Sequence, residues 1–227
     1  MKLNADLNKS ARVRSEDVPW SPSPLPGVAR RMLERDGGEV ARVTSIVRYG
    51  PGRYFDRHVH SGGEEYFVLR GTFSDESGDY PAGFYVRNPV GSSHRPYSEQ
   101  GCIILVKLHW MHADDQEPVH INTRDVHLWR ETEWPGIQQM PLHAFKDEVT
   151  FLYQFDVGAT LPERSLPGGE EFFVLSGDVH DHNEIYEQGA WRRLPIGRAP
   201  ELHSKLGCIL LYKEGHLSDP PQGPAHD

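Results

Sequence analysis

The chain has 227 residues, a net charge of −9 and a pI near 5.8, so it lacks the basic footprint that nucleic-acid binding requires. Its 22 Gly and 18 Pro, spread among short apolar runs, favour strands and turns over helices. The apolar runs are too short to cross a membrane, and residues 1–8 lack the apolar core of an export signal, so a cytoplasmic protein is expected.

In chain order, residues 20–26 (Trp-Ser-Pro-Ser-Pro-Leu-Pro) read as a Pro-rich extended arm packing across a barrel. Residues 65–69, 102–108, 149–155 and 208–212 read as strands. The polar and acidic stretch 111–120 is the natural junction between two domains, expected at 1–112 and 113–227. The Pro-rich tail 219–225 is expected to be disordered. Cys102 and Cys208 each follow a glycine and open an apolar strand, which predicts two small buried hydrophobes rather than a disulfide.

The chemistry concentrates in two blocks. Gly52-x5-His58-x-His60-x3-Glu64-x6-Gly71 is followed by Gly83-x5-Pro89-x-Gly91-x2-His94. His58 and His60 are two apart, so on an extended strand both leave the same face. Glu64 follows the turn-prone Ser61-Gly62-Gly63, and His94 follows a strand-reversing Pro89-Val90-Gly91. Three imidazoles and one carboxylate make a mixed nitrogen and oxygen ligand set for a divalent transition metal. Glu65 is the alternative carboxylate, but Glu64 shares the parity of the histidines. Tyr66, Tyr85, Tyr97 and His109 are candidates to orient ligands or substrate, with ordinary packing as the alternative for each.

The chain also repeats itself. Shifted by 106, residues 44–107 lie on 150–213 without a gap, with 22 identities in 64 positions. The turn residues persist: Gly62-Gly63-Glu64-Glu65 becomes Gly168-Gly169-Glu170-Glu171, and Gly83, Pro89 and Gly91 become Gly189, Pro195 and Gly197. The ligands do not persist. His58 maps to Arg164, His60 to Leu166 and His94 to Pro200, so the second copy is expected to be metal-free at this place. Arg164 either occupies the space a metal left, beside Glu170, or points into solvent. A second His-x-His pair, His180 and His182, is expected in an exposed loop, and His203 is a remote candidate for a shifted ligand.

The two blocks match both signature motifs of the cupin superfamily, apart from Ser98 where the second motif usually ends in Asn. The fold class implied is all-β, with two tandem cupin jelly-roll barrels. More narrowly the chain resembles, in tandem, the cupin-like domain of ChrR anti-sigma factors. The residues that carry this are Val47-x-Tyr49-x-Pro51-Gly52, His58-x-His60-x2-Gly63-Glu64-Glu65, and Asp79-Tyr80-Pro81-Ala82-Gly83 with Pro89-x-Gly91-Ser92-x-His94. The resemblance implies His58, His60, Glu64 and His94 as ligands of one metal, zinc in that family, with iron, manganese or nickel as alternatives. It implies an oxidant-sensing regulatory role. The family's sigma-binding module, with its H-x3-C-x2-C pattern, has no counterpart here, so a sigma-factor contact of the usual kind is not expected. Because six-coordinate metals would leave positions open on the same four ligands, the alternative is an Fe(II) dioxygenase acting on a small ketone or diketone. The partners admitted are a small-molecule ligand and a second copy of the chain in a homodimer.

Overall fold

The computed structural model describes residues 1–38 and 40–221. Strands dominate, with two single-turn 3-10 segments, and among the described residues no helix is long and apolar enough to cross a membrane. The expectation for residues 219–225 falls largely outside the described residues.

The chain divides into two compact units, one holding Met1–Ala5 and Val18–Arg124, the other Asp6–Asp17 and Asp125–Pro220. Both are antiparallel all-β units with the same strand order. In the first, the main sheet runs Lys2–Leu3, Val28–Gly37, Ala41–Tyr49, Cys102–Leu108, Glu64–Asp75, Phe84–Asn88, Val119–Asn122. In the second it runs Arg130–Glu131, Ile137–Phe145, Glu148–Phe155, Cys208–Glu214, Glu170–His180, Ala190–Leu194, Ala11–Arg14. The final strand of each sheet is therefore supplied from the far side of the sequence junction. Val119 to Asn122 pair with Arg87 to Phe84, and Ala11 to Arg14 pair with Arg193 to Ala190.

The stretch 111–120 is itself structured in the first unit. Met111 and Asp115 are buried, Asp115 accepts a hydrogen bond from the Arg87 guanidinium, and Val119 opens a paired strand. The Pro-rich arm does run along a sheet edge, where Ser21 pairs with Arg30. The guanidinium groups of Arg31 and Arg48 both lie over the Trp20 ring, each 4.5 Å from its centroid.

Matching irregularities recur in both units. An extra residue interrupts the register between Met32 and Glu34 in one and between Pro141 and His143 in the other. Such a bulge switches which face the following side chains occupy. Each unit has its own apolar core, built around Tyr49, Tyr66, Val68, Phe73 and Ile104 in the first and around Phe151, Tyr153, Phe172, Leu210 and Tyr212 in the second.

Cys102 and Cys208 are free and buried, as their sequence context predicts. Burial pushes the Cys102 thiol up to about 11 and the Cys208 thiol up to about 12. Because the thiolate is the reactive form, the folded protein is expected to resist iodoacetamide at about pH 8. The unfolded chain should take up a label at both cysteines. Intact-mass analysis checks this, and rapid labelling of folded protein would count against the buried placement.

Candidate metal centre

His58 and His94 sit opposite each other on two short antiparallel strands, His58–Val59 and Ser93–His94. His60 is clamped beside them by its backbone, its N–H donating to Ser92 O and its carbonyl accepting from Gly91 N–H, both at 2.9 Å. The chain then turns through Gly63, whose φ of +73° is a left-handed conformation that glycine adopts without strain. A Cβ there would also collide with Met111. The turn delivers Glu64 to the start of the Glu64–Asp75 strand, on the same side as the histidines.

The three imidazoles offer ligand atoms that all lie within 4.8 Å of one another. Ring centroids are 4.9 Å apart for His58 and His60, 5.2 Å for His58 and His94, and 4.6 Å for His60 and His94. Glu64 Oε2 is 3.6 Å from His60 Nε2 and 3.4 Å from His94 Nε2. The four residues singled out in the sequence therefore converge.

Their surroundings orient them. His58 Nδ1 is 2.8 Å from the Asp56 carbonyl oxygen, and His94 Nδ1 is 3.0 Å from Asp75 Oδ2. Both partners are acceptors, so each Nδ1 carries the proton and each Nε2 keeps its lone pair. Asn88, directly across the strand pair from Glu64, donates its side-chain N–H to Glu64 Oε2 at 2.9 Å. Burial lowers the His60 pKa, with Glu64 partly opposing it. At His94 burial acts the same way, but the hydrogen bond to Asp75 and the Glu64 charge outweigh it and raise the pKa.

Whether these residues fit a metal can be judged from their unpaired atoms. His60 Nε2 and His94 Nε2 are buried and make no hydrogen bond, which is costly unless something else uses their lone pairs. Two orphaned imidazole nitrogens, a third beside them and a carboxylate within 3.6 Å form a donor set that suits a divalent cation.

Glu65 turns the other way, to a 2.9 Å ion pair with Arg87, as the parity argument requires. Tyr66 and Tyr85 are buried in the fold, and burial together with the Glu64 and Asp75 charges raises the Tyr66 pKa well above its ordinary value. Tyr97 is exposed, and its strand pairs it with Tyr54. His109 lines the cavity described next.

His58, His60 and Glu64 line one side of a cavity of about 530 Å³ in the first unit. Its walls include the apolar side chains of Val43, Val47, Tyr49, Phe55, Ile104 and Val106. Arg30 and Arg35 also line it.

A family model, the ChrR cupin-like domain, matches residues 8–112 and again 116–218. The chain belongs to the ChrR cupin-like family. No curated protein matches the sequence. Among solved structures, it is similar to a candidate dioxygenase from Nostoc punctiforme, at a TM-score of 0.76 and 13% identity over 97% of this chain and 88% of that one. It is similar to salicylate 1,2-dioxygenase from Pseudoaminobacter salicylatoxidans, at 0.69 and 14% over 95% and 83%. A third is the bacterial pirin YhhW from Escherichia coli in complex with nickel(II), at 0.65 and 14% over 94% and 100%. At these identities the likeness is one of fold.

Within the tandem, the second copy shows what this family's fold looks like without the histidines. Arg164 donates to Glu170 Oε2 at 2.7 Å, and the Arg192 guanidinium and the Tyr212 hydroxyl also bond this fully buried carboxylate. Of the two readings of Arg164, the buried ion pair is the observed one. Ser45, Val47 and Val106 correspond to Phe151, Tyr153 and Tyr212, and the Phe151 and Tyr212 rings stack at 5.2 Å. Aromatic side chains and guanidinium groups occupy the positions that border the cavity in the first copy. His182 is exposed as expected, but His180 is not. It is 6% exposed at the end of the Glu170–His180 strand, bonded to Asp178, with its ring 4.9 Å from that of His203.

Asp56, Asp75, Asn88, Arg30 and Arg35 did not emerge from the sequence. Asp75 had one signal, its recurrence as Asp181 in the repeat. The others had none.

Proposed function

We propose that the first repeat holds one divalent transition metal on His58, His60, Glu64 and His94, and that the protein is an oxygenase-type cupin enzyme acting on a small molecule in the adjoining cavity. The observation that carries this is the position of His58, His60 and Glu64 on the cavity wall, so that a molecule in the cavity reaches the ligand cluster directly. A purely structural ion needs no chamber beside it. When bound, a six-coordinate metal supplies Lewis acidity to a substrate oxygen and a template for dioxygen. The protein's own part is positional. Asp56 and Asp75 hold the Nδ1 protons, and Asn88 holds Glu64. The solved relatives described as dioxygenases support this reading, as does the nickel-bound pirin for the kind of metal. We place the metal in the repeat read as 1–112 and give 113–227 a structural role. Two free buried cysteines agree with a reducing, cytoplasmic setting.

Family membership favours a second reading, a zinc-bound oxidant-sensing regulator in which the same four ligands fill a tetrahedral shell. Elemental analysis of anaerobically purified protein separates the two, beside a His58→Ala/Glu64→Ala variant. About one iron, manganese or nickel per chain, lost in the variant, with oxygen uptake on adding ketones, diketones or keto acids, is the expected result. About one zinc per chain, indifferent to oxygen and to those substrates, would select the regulator. About two metals per chain would overturn the structural role of the second repeat. No metal even after reconstitution would reject the site.

A further inference from the structure

We propose that the Tyr49 hydroxyl positions the molecule bound in the first repeat's cavity, by donating a hydrogen bond to a carbonyl or enolate oxygen on an otherwise apolar body. This rests on the reading of that cavity as the ligand chamber of the metal centre.

The donor sits on the cavity face of one strand. Val43, Ser45, Val47 and Tyr49 alternate along Ala41–Tyr49, so their side chains leave the same face, and all four line the cavity. Tyr49 ends the strand, paired with Val28 on one side and Cys102 on the other. Its ring is packed edge-on by Phe55 at 5.7 Å and by Phe73 at 5.3 Å. Those two rings lead on to the metal ligands, with Phe55 5.9 Å from His58 and Phe73 6.1 Å from His94. Tyr49 is therefore held one ring away from the histidine cluster.

Its hydroxyl has nothing to bond. Tyr49 is 6% exposed, and the hydroxyl makes no hydrogen bond among the described residues. A buried phenol usually finds a partner, and leaving it without one is costly. Burial, and then the Glu64 charge, raise its pKa well above the ordinary value, so the group keeps its proton and serves as a donor. A carbonyl oxygen accepts such a bond, and an enolate oxygen accepts it more strongly. Val43, Val47, Ile104 and Val106 on the same walls suit the apolar remainder of the molecule.

The second repeat is an internal control. Tyr49 corresponds there to Phe155, buried in the core 6.0 Å from the Tyr153 ring. The ring is kept, and only the oxygen is gone, in the copy that lost the ligands and filled the cavity. Tyr80 behaves differently. Its hydroxyl has a partner, Asp75 Oδ1 at 3.5 Å, and the second repeat keeps both residues as Tyr186 and Asp181, 3.0 Å apart. Packing alone thus needs no oxygen at position 49. Tyr66 also becomes a phenylalanine, Phe172, but it does not border the cavity, which leaves Tyr49 as the phenol that a bound molecule can reach.

The test is calorimetric titration of the full chain with acetophenone and with ethylbenzene, which has two hydrogens in place of the carbonyl oxygen. It is run on metal-reconstituted protein and again after chelation. Tyr49→Phe, which installs the second repeat's own residue, is expected to weaken acetophenone binding roughly 3- to 10-fold in both forms. Ethylbenzene affinity and metal content should not change. The infrared carbonyl stretch of bound, isotope-labelled acetophenone should lie lower in the wild type than in the variant, because a hydrogen bond to the oxygen weakens the C=O bond. Equal losses for the ketone and the hydrocarbon, no binding by either probe, or the same carbonyl stretch in both proteins overturns the proposal. So does a ketone-specific loss that follows Ser45→Ala and not Tyr49→Phe, or one that appears only with metal bound. A ketone-specific loss in a protein unable to take up metal supports Tyr49 and rejects the metal reading instead.

Discussion

Glu170→Ala is expected to destabilise the second repeat by about 3 kcal/mol, the lower end of the cost of breaking a buried ion pair. The carboxylate is fully buried and bonded by two guanidinium groups and the Tyr212 hydroxyl. Without it, Arg164 and Arg192 remain in the interior with less opposing charge, and desolvation without compensation is what makes such losses large. Residual partners limit the damage. Arg192 keeps Asp181 at 3.0 Å and its stacking over Phe172, and Arg164 keeps Glu214 at 3.5 Å. Calorimetric unfolding should show a lowered transition for one unit only, with metal content unchanged. Replacing Arg164 and Glu170 together by leucine should cost less, because one buried guanidinium goes with the carboxylate and only Arg192, which keeps Asp181, is left in the interior. A loss below about 1 kcal/mol for Glu170→Ala would mean that the cluster behaves as a solvated surface network and does not substitute for the metal.

The contrast between Glu64 and Glu170 also shows which parts of this protein are written locally. Turns are legible because their chemistry is local. Gly63 and Gly169 have φ near +70°, and their Gly-Gly-Glu-Glu context marks both copies. The His58 and His60 parity, and the choice of Glu64 over Glu65, follow from the two-residue period of a strand. Strand exchange was not legible, because Ala11–Arg14 carries no mark of its partner Ala190–Leu194 far along the chain. The direction of Arg30 and Arg35 was hidden for a different reason. It depends on one inserted residue in an otherwise regular strand, and nothing about Leu33 or Leu142 announces a bulge. His180 was misplaced because its Gly- and Asp-rich neighbours suggested a loop, whereas the strand extends to it and Asp178 bonds its ring.

Asp75→Ala is expected to weaken metal binding roughly 10- to 100-fold, the usual cost of losing a partner behind a ligating histidine. Asp75 does not reach the cluster; it acts through His94 Nδ1, 3.0 Å away. Burial alone would raise the Asp75 pKa, but hydrogen bonds from His94 and the Ser77 amide bring it below the ordinary value, so the carboxylate is charged when it holds the imidazole. That charge makes Nε2 a stronger donor and fixes the ring rotation that points it at His58 and His60. Alanine removes both effects. Asparagine, whose side-chain oxygen can still accept from Nδ1, removes only the charge and should fall between wild type and alanine. Competition titration against a chromophoric chelator measures the order directly. Glu76→Ala is the comparison: Glu76 is exposed, pairs with Arg57 and accepts from the Arg95 amide, and it reaches His94 through its charge alone, so its loss should cost much less than that of Asp75. Equal losses for Asp75→Ala and Glu76→Ala would show that a general field of negative charge, not the orientation of His94, sets the affinity.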